Sequence, residues 1–399
     1  MSLTDFKPHF DNAYQEIFQK VLVAKKIANL RFEPTLKFGE SVERVAYDIS
    51  GVRVRSVVRG SASTIDAITD SSELLTINYE KEAVFHISDG EVKQVGPLNP
   101  GEVIGGKIAM KVAIDFDAYV LAETVNAAYT FDTGDLTTLS SSGVPITISS
   151  TTTPQFVMRA PAKLRKNNQT LTNLCFVTDS YAAADLAQYL LSKDIDLASS
   201  IYKNGETEMR TGGAEVYISE NLTATTVLGM ATNATAGDTV THNGLTYTIV
   251  ASPSAAGDVD LGADADTTRA NLTAAFNQGA GAGTAYIAWT GANLITWEDG
   301  KITATNDNTA NTMTVVSIGT GAVTVSETLI AGGDSWTTNY INCYFGKKGG
   351  IDAVVQDLKE VDMRQTADRR GTNVFSSLLG GYKTYADGAK QFLNVKLAR

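Results

Sequence analysis

Gly51-Val-Arg-Val-Arg-Ser-Val-Val-Arg-Gly60 alternates aliphatic with basic residues, and further on Asn99-Pro100-Gly101 ends the extended pattern and opens a helical one. The order of these two segments decides the fold. In the first, Val52, Val54, Ser56 and Val58 fall on one side of an extended chain, Arg53, Arg55 and Val57 on the other, and Arg59 follows. After a stretch from Ser61 to Ser72 that is polar and flexible by composition, Leu75, Ile77, Tyr79, Val84-Phe85 and Ile87 form a second extended run. The pattern predicts a long two-stranded excursion with a mobile tip. It holds too few apolar residues for a core of its own, and an isolated two-stranded ribbon is marginal in water. It needs a partner surface.

Working outward, Val103, Ile104, Ile108, Val112, Phe116, Tyr119, Val120 and Val125 keep three- to four-residue steps, predicting a helix from Glu102 to Tyr129, a strut of about seven turns. Upstream, Phe10, Ala13, Tyr14, Ile17, Phe18, Val21 and Leu22 fall on one stripe of a helix over Phe10–Leu30, which must dock on this subunit or a neighbour. Downstream, Phe131–Gln155 reads as a Thr/Ser-rich connector. Leu171–Val177 reads as a buried strand and Tyr181–Leu191 as a helix that Asp179 or Ser180 caps. Asp194–Tyr202 follows as a helix and Glu215–Ser219 as a strand. Asn243-Gly244 marks a hairpin within Gly237–Val250, Thr267–Asn277 is a short helix, and Ala285–Val325 supplies several short strands. Tyr340–Phe345 reads as a strand, Gly349-Gly350 as a turn, Val354–Arg364 as a helix and Gln391–Leu397 as a strand.

The 399 residues carry 33 Lys and Arg against 44 Asp and Glu, for a net charge of −11. Gripping phosphates needs a basic surface, so nucleic-acid binding is not the main task. Between Leu222 and Trp336 stand two basic and ten acidic residues, which places −8 of the −11 in one Thr/Ala/Gly/Asn-rich segment. Such a shift reads as an inserted, solvated domain. No run approaches the roughly 20 apolar residues of a membrane span. The first residues lack a basic region followed by an apolar stretch, so the chain is expected to be soluble and made in the cytoplasm.

Catalytic signals are poor. Gly101-Glu-Val-Ile-Gly-Gly106-Lys107 has the spacing of a phosphate loop, but Ile108 stands where a magnesium-binding hydroxyl is required and no good strand precedes it. Asp258, Asp260 and Asp264 with Gly262 have the look of a calcium loop, yet its twelfth position is Arg269 rather than a bidentate carboxylate. His9, His86 and His242 lie in three separate segments, and Cys175 and Cys343 sit among apolar or strand residues. The expectation is no enzyme, no catalytic residue, no metal and no cofactor.

The order of parts resembles the major capsid proteins of tailed bacteriophages, the Hong Kong 97-type fold. The resemblance implies an α+β chain with an N-terminal arm (1–30) and an extended β-loop opening a peripheral domain (31–95). Next come the peripheral domain with its spine helix (96–162), an axial domain (163–221), an inserted acidic β-rich domain (222–336), and an axial return with a C-terminal peripheral segment (337–399). It implies a virion protein, made in the host cytoplasm, that self-assembles into hexamers and pentamers of an icosahedral shell around double-stranded DNA, without sequence-specific binding. Scaffolding, portal and decoration proteins are implied as further partners, and a membrane is not. The expected inter-subunit contacts are Arg53, Arg55 and Arg59 on the loop and Phe10, Tyr14, Ile17 and Phe18 on the arm. The acidic insert is expected to face outward. Two other readings stand beside this one, a surface-layer or adhesin-type array, suggested by the polar β insert, and an intracellular enzyme with an accessory β domain.

Overall fold

The structure is a computed structural model and describes residues 23–31, 41–48, 52–56, 59, 65–66, 68–88, 100–149, 151–191, 202–203, 206–207, 210–211, 213–329, 334–365 and 371–399. The chain divides into two compact units, the first holding 1–20, 28–112 and 349–388, the second 21–27, 113–348 and 389–399. Helices and strands mix throughout, as an α+β chain should. Of the expected helix Phe10–Leu30, residues 10–22 lie outside the described residues; the described remainder is helical only over Ala24–Ile27, because Asn29 leaves the helix to bridge Asp352, and most of Asp194–Tyr202 also lies outside.

In the first unit, β1 (Ser41–Asp48) and β2 (Thr69–Thr76) pair antiparallel without a break, from Ser41↔Thr76 to Asp48↔Thr69. The expected excursion exists, but its ladder is displaced toward the base. Val52 to Ser56 are not strand and lie beyond the last rung, and β3 (Tyr79–Ser88) leaves the ribbon to pair elsewhere. The register explains the shift. It sets Val42 opposite the fully buried Leu75, an apolar cross-strand pair at the foot of the ribbon, whereas Val52 and Val54, which alternate with arginine, have no strand partner among the described residues.

Next comes α1 (Pro100–Ala122), with proline at its first position, where its missing N–H costs nothing. It gives way to a 3-10 turn at Glu123–Asn126, short of the expected Tyr129, because β4 (Tyr129–Phe131) is claimed by the C-terminal strand Phe392–Ala398. In the second unit Asp117 of α1 is fully buried. It accepts hydrogen bonds from Ala24 N (2.7 Å), Asn221 Nδ2 (3.0 Å) and Ser219 Oγ (3.2 Å). Burial pushes its pKa up against the pull of those donors. One helical carboxyl therefore ties down two distant segments of chain.

The connector expected over Phe131–Gln155 instead leads into α2 (Thr152–Lys166). Its two helix-lowering threonines and an internal Pro161 hid it, but it docks through Phe156, whose ring lies 5.2 Å from Phe176, 5.7 Å from Phe131 and 5.9 Å from Phe345. The buried Lys163 reaches Asp135 at 2.6 Å. β5 (Leu174–Thr178), buried at every position, is followed by α3 (Ser180–Leu191), with the Asp179 carboxylate capping at Ala182 N (3.2 Å), and by β6 (Ala214–Ile218).

The acidic segment contributes β7 (Thr223–Gly229), β8 (Thr239–His242), β9 (Leu245–Val250) and β10 (Asp258–Asp260). It continues with α4 (Ala265–Phe276), α5 (Gly291–Gly300), β11 (Thr303–Asp307), β12 (Thr312–Ser317) and β13 (Val325–Glu327). Asn243 (φ 50°) and Gly244 (φ 78°) make the two-residue hairpin turn the sequence announced. α5 replaces part of the expected strand run. The segment divides between two sheets. β10-β9-β8-β13 form a sheet of their own, while β11-β12-β7 extend the main sheet and pair onward with β14 (Ser335–Lys347). One apolar core, including Tyr247, Phe276, Trp289, Leu228, Met313 and Val315, spans both sheets.

Strand β14 pairs with β7 through residues 335–342, with β5 through 344–347 and with the C-terminal strand through 340–346. Back in the first unit, β15 (Asp352–Gln365) and β16 (Gly371–Lys383) pair antiparallel, and β3 joins the far edge of β16. The helix expected over Val354–Arg364 is therefore a strand. Two irregularities, between Val355 and Asp357 and between Lys359 and Asp362, shift its register. The ribbon's foot packs here, with Leu75, Val354 and Tyr385 buried together and Val42 and Ile77 against them. Gly381 makes this possible, since a Cβ there would meet the Thr76 carbonyl oxygen at 2.5 Å.

His242 yields a prediction. It is fully buried beside Phe276 and Trp336, each 5.8 Å away between ring centroids, and neither ring nitrogen has a hydrogen-bond partner. Burial lowers its pKa from 6.5 to about 4. Unfolded chain takes up a proton near 6.5 and folded chain only near 4, so stability is full above 6.5 and falls as pH drops through this window, by about 3 kcal/mol in all. Thermal melts are expected to drop over that range, and His242→Phe is expected to flatten this part of the profile.

Candidate assembly surface

Beyond the last rung of the ribbon the outward and returning limbs are held by one carboxylate. Arg55 donates to both oxygens of Asp66, from Nη1 at 2.7 Å and Nη2 at 2.8 Å, and the Arg53 backbone N–H adds a third bond at 2.8 Å. The Arg55 guanidinium, followed by the Arg53 N–H, holds the Asp66 carboxyl below the usual carboxylate range. Arg55, expected to face a neighbouring subunit, is thus occupied within its own loop. Arg53 and Arg59 keep exposed side chains.

The same short stretch exposes aliphatic groups. Val54 and Ile65 are almost wholly open to solvent, and Val52 and Ile68 about half. Full burial of such a side chain is worth about 1.5–3 kcal/mol, and clustered exposed apolar groups mark interaction surfaces. Ile65, Asp66 and Ile68 lie in the stretch that composition marked only as polar. The signal was local, two isoleucines and an acid among Ser, Thr and Ala, opposite a run that alternates arginine and valine. Phe10, Tyr14, Ile17 and Phe18 lie outside the described residues.

The other candidate chemistries dissolve into local structure. Gly101, Gly105, Gly106 and Lys107 all lie inside α1, where no open loop can cradle a phosphate. Asp258 accepts from Ser254 N (3.0 Å) and Ala255 N (2.8 Å), while Asp264 caps α4 at Thr267 N (2.8 Å). His86 Nδ1 is 2.8 Å from Asn373 Oδ1. Cys175 and Cys343 are buried as free thiols, and burial pushes the Cys175 pKa up to about 12 and that of Cys343 higher still. Neither is a thiolate at neutral pH. Among the described residues no group of three or more His, Cys, Asp or Glu is placed to hold a metal, and no helix is long and apolar enough to cross a membrane.

No protein-family model matches the sequence. No curated protein matches it either. Among solved structures, the chain is similar to one from Mycobacterium phage Che8, at 13% identity and a TM-score of 0.49 over 93% of this chain and 90% of that one. It is similar to the capsid of the cyanophage P-SCSP1u, at 13% identity and a TM-score of 0.47 over 90% of this chain and 84% of that one. It is also similar to the mature capsid of bacteriophage PhiM1, at 12% identity and a TM-score of 0.45 over 90% and 82% of the respective chains.

Replacing Asp66 tests the clamp. An exposed pair contributes about 0–1 kcal/mol, so Asp66→Ala is expected to leave the melting temperature nearly unchanged. It is expected to speed tryptic cleavage after Arg53, Arg55 and Arg59 severalfold, as the two limbs part.

Proposed function

We propose that this chain is a major capsid protein of the tailed-phage type, a building block that closes into an icosahedral shell around double-stranded DNA. The observation that carries the reading is the ribbon. It projects past its last rung with four exposed aliphatic side chains and three exposed arginines, and it rests on a foot of three buried apolar residues. A single chain gains nothing from such a limb, whereas a neighbouring copy covers it, and the gain repeats at every contact of a symmetric assembly. In this reading 1–30 is an arm, 31–95 the extended loop and start of the peripheral domain, 96–162 the peripheral domain with α1 as its spine, 163–221 the axial domain, and 337–399 the axial return and C-terminal peripheral segment. The acidic 222–336 lies on the outer face, away from packaged nucleic acid. Arg53, Arg55 and Arg59 contact the adjoining subunit, with the arm residues Phe10, Tyr14, Ile17 and Phe18 as a second contact. The role is structural and not enzymatic, the location is the virion, and scaffolding, portal and decoration proteins are partners of the assembled shell.

Electron microscopy of the purified chain tests the reading. Rings of five or six subunits or closed shells are expected, and a monodisperse monomer at high concentration would overturn it. Arg53→Glu combined with Arg59→Glu is expected to lower the yield of assembled particles at least tenfold while leaving the melting temperature of the unassembled chain unchanged. Unaltered assembly would remove these arginines from the interface.

A further inference from the structure

Lysines gather where β14 leaves the main sheet. Lys347 closes the strand and Lys348 follows it. The Lys347 N–H donates to Gln391 O at 3.1 Å, which brings the neighbouring Lys390 to the same end, and Lys348 N donates to Asn173 O at 3.0 Å, beside β5. On β6, Lys348 Nζ donates to Glu215 Oε2 at 2.6 Å and to Tyr217 OH at 2.7 Å. The Lys26 ammonium lies 5.6 Å from the centre of the same Tyr217 ring, and that of Lys348 lies 5.1 Å away. Lys25, Lys26 and Lys390 are exposed, and Lys347 and Lys348 are half-buried. Among the described residues, Lys348 is the one lysine of these five that is paired with a carboxylate.

We propose that this lysine cluster is a contact for the phosphate backbone of double-stranded nucleic acid, made without regard to base sequence. That the duplex is a packaged one rests on the shell reading; the contact itself does not. Ammonium groups collected at one end of a sheet repel one another, and a polyanion relieves that repulsion. Duplex DNA offers one negative charge per about 1.7 Å of its axis. Lysine is a point charge on a flexible stem, suited to phosphates, and phosphate contacts carry no base code.

The net charge of −11 does not forbid this. β14 begins at the acidic segment, with Ser335 opposite Gly229 and Asp334 just before it, and ends at the lysines. Its 13 residues span roughly 40 Å, whereas exposed charges act over about 10 Å at 0.1 M salt. The two ends are therefore separate electrostatic surfaces. The acidic segment of a second copy is the competing occupant, but its carboxylates already serve as acceptors at home. Asp238, Asp258, Asp264, Asp307 and Asp334 each accept from backbone N–H groups nearby, and Asp266 accepts from Arg269. Phosphates bring no such prior commitments.

Fluorescence anisotropy of the full chain with a labelled mixed-sequence duplex, between about 50 and about 200 mM salt, reads the contact. The four lysines without a carboxylate partner predict a slope of log K against log salt of about −3.5. Combining Lys26→Gln, Lys347→Gln and Lys390→Gln is expected to weaken binding at least tenfold at low salt and to reduce the slope by about three. Lys25→Gln with Lys390→Gln, both on exposed side chains, is expected to reduce it by about two, and serves if the triple variant does not fold. Arg53→Gln with Arg59→Gln is expected to leave the affinity within twofold. A wild type that does not bind the duplex, or lysine variants that bind it as before, would overturn the proposal. So would tighter binding to polyglutamate of matched charge, which would assign the cluster to an acidic protein surface. The readout does not depend on assembly, so a monomer that binds the duplex supports this contact even as it overturns the shell reading.

Discussion

Strand β14 has to serve three partners at once, and the second unit is arranged around that demand. One of its edges carries β7 and then β5, the other the C-terminal strand. Residues 340–346 are buried throughout, so every backbone group there must find its partner within the sheet. The buried Asn342 fixes the register, donating to Thr223 O at 3.0 Å and Thr225 Oγ1 at 2.9 Å and accepting from Asn394 at 2.8 Å. A slip by one residue would strand these amides, at about 1–3 kcal/mol for each unsatisfied group. Phe345 then joins Phe156 and Phe176 in the aromatic core, so the strand that sets hydrogen bonding also sets packing.

The first unit is built on the opposite plan. Its three-stranded sheet supports a ribbon whose foot is small and whose tip is clamped by the single carboxylate of Asp66.

The sequence shows most clearly those elements whose signal is local. Asn243-Gly244 imposes its turn by backbone conformation alone, and the Asp179 cap and the all-apolar β5 are readable from a few residues. The misreadings were non-local. β15 passed for a helix, and the two bulges that interrupt its strand pattern are visible only against β16. The helix α2 was lost to its threonines and Pro161, although tertiary burial of Phe156 outweighs them. At the ribbon's outer end, the alternation singled out Arg53 and Arg55 but not the partner of Arg55, because Asp66 lies eleven residues away in a stretch that composition marks only as polar.

The placement of β7, β11 and β12 in the same sheet as β14 has a bearing on how such a chain can be altered or can evolve. The acidic stretch cannot be lifted out as a cassette, because excision would strip β14 of a neighbour along much of one edge and leave bare amides and carbonyls where a paired interior stood. Growth or loss of sequence is better tolerated at the Asn243-Gly244 turn or the glycine-rich 279–283 loop, which bear no ladder of the main sheet.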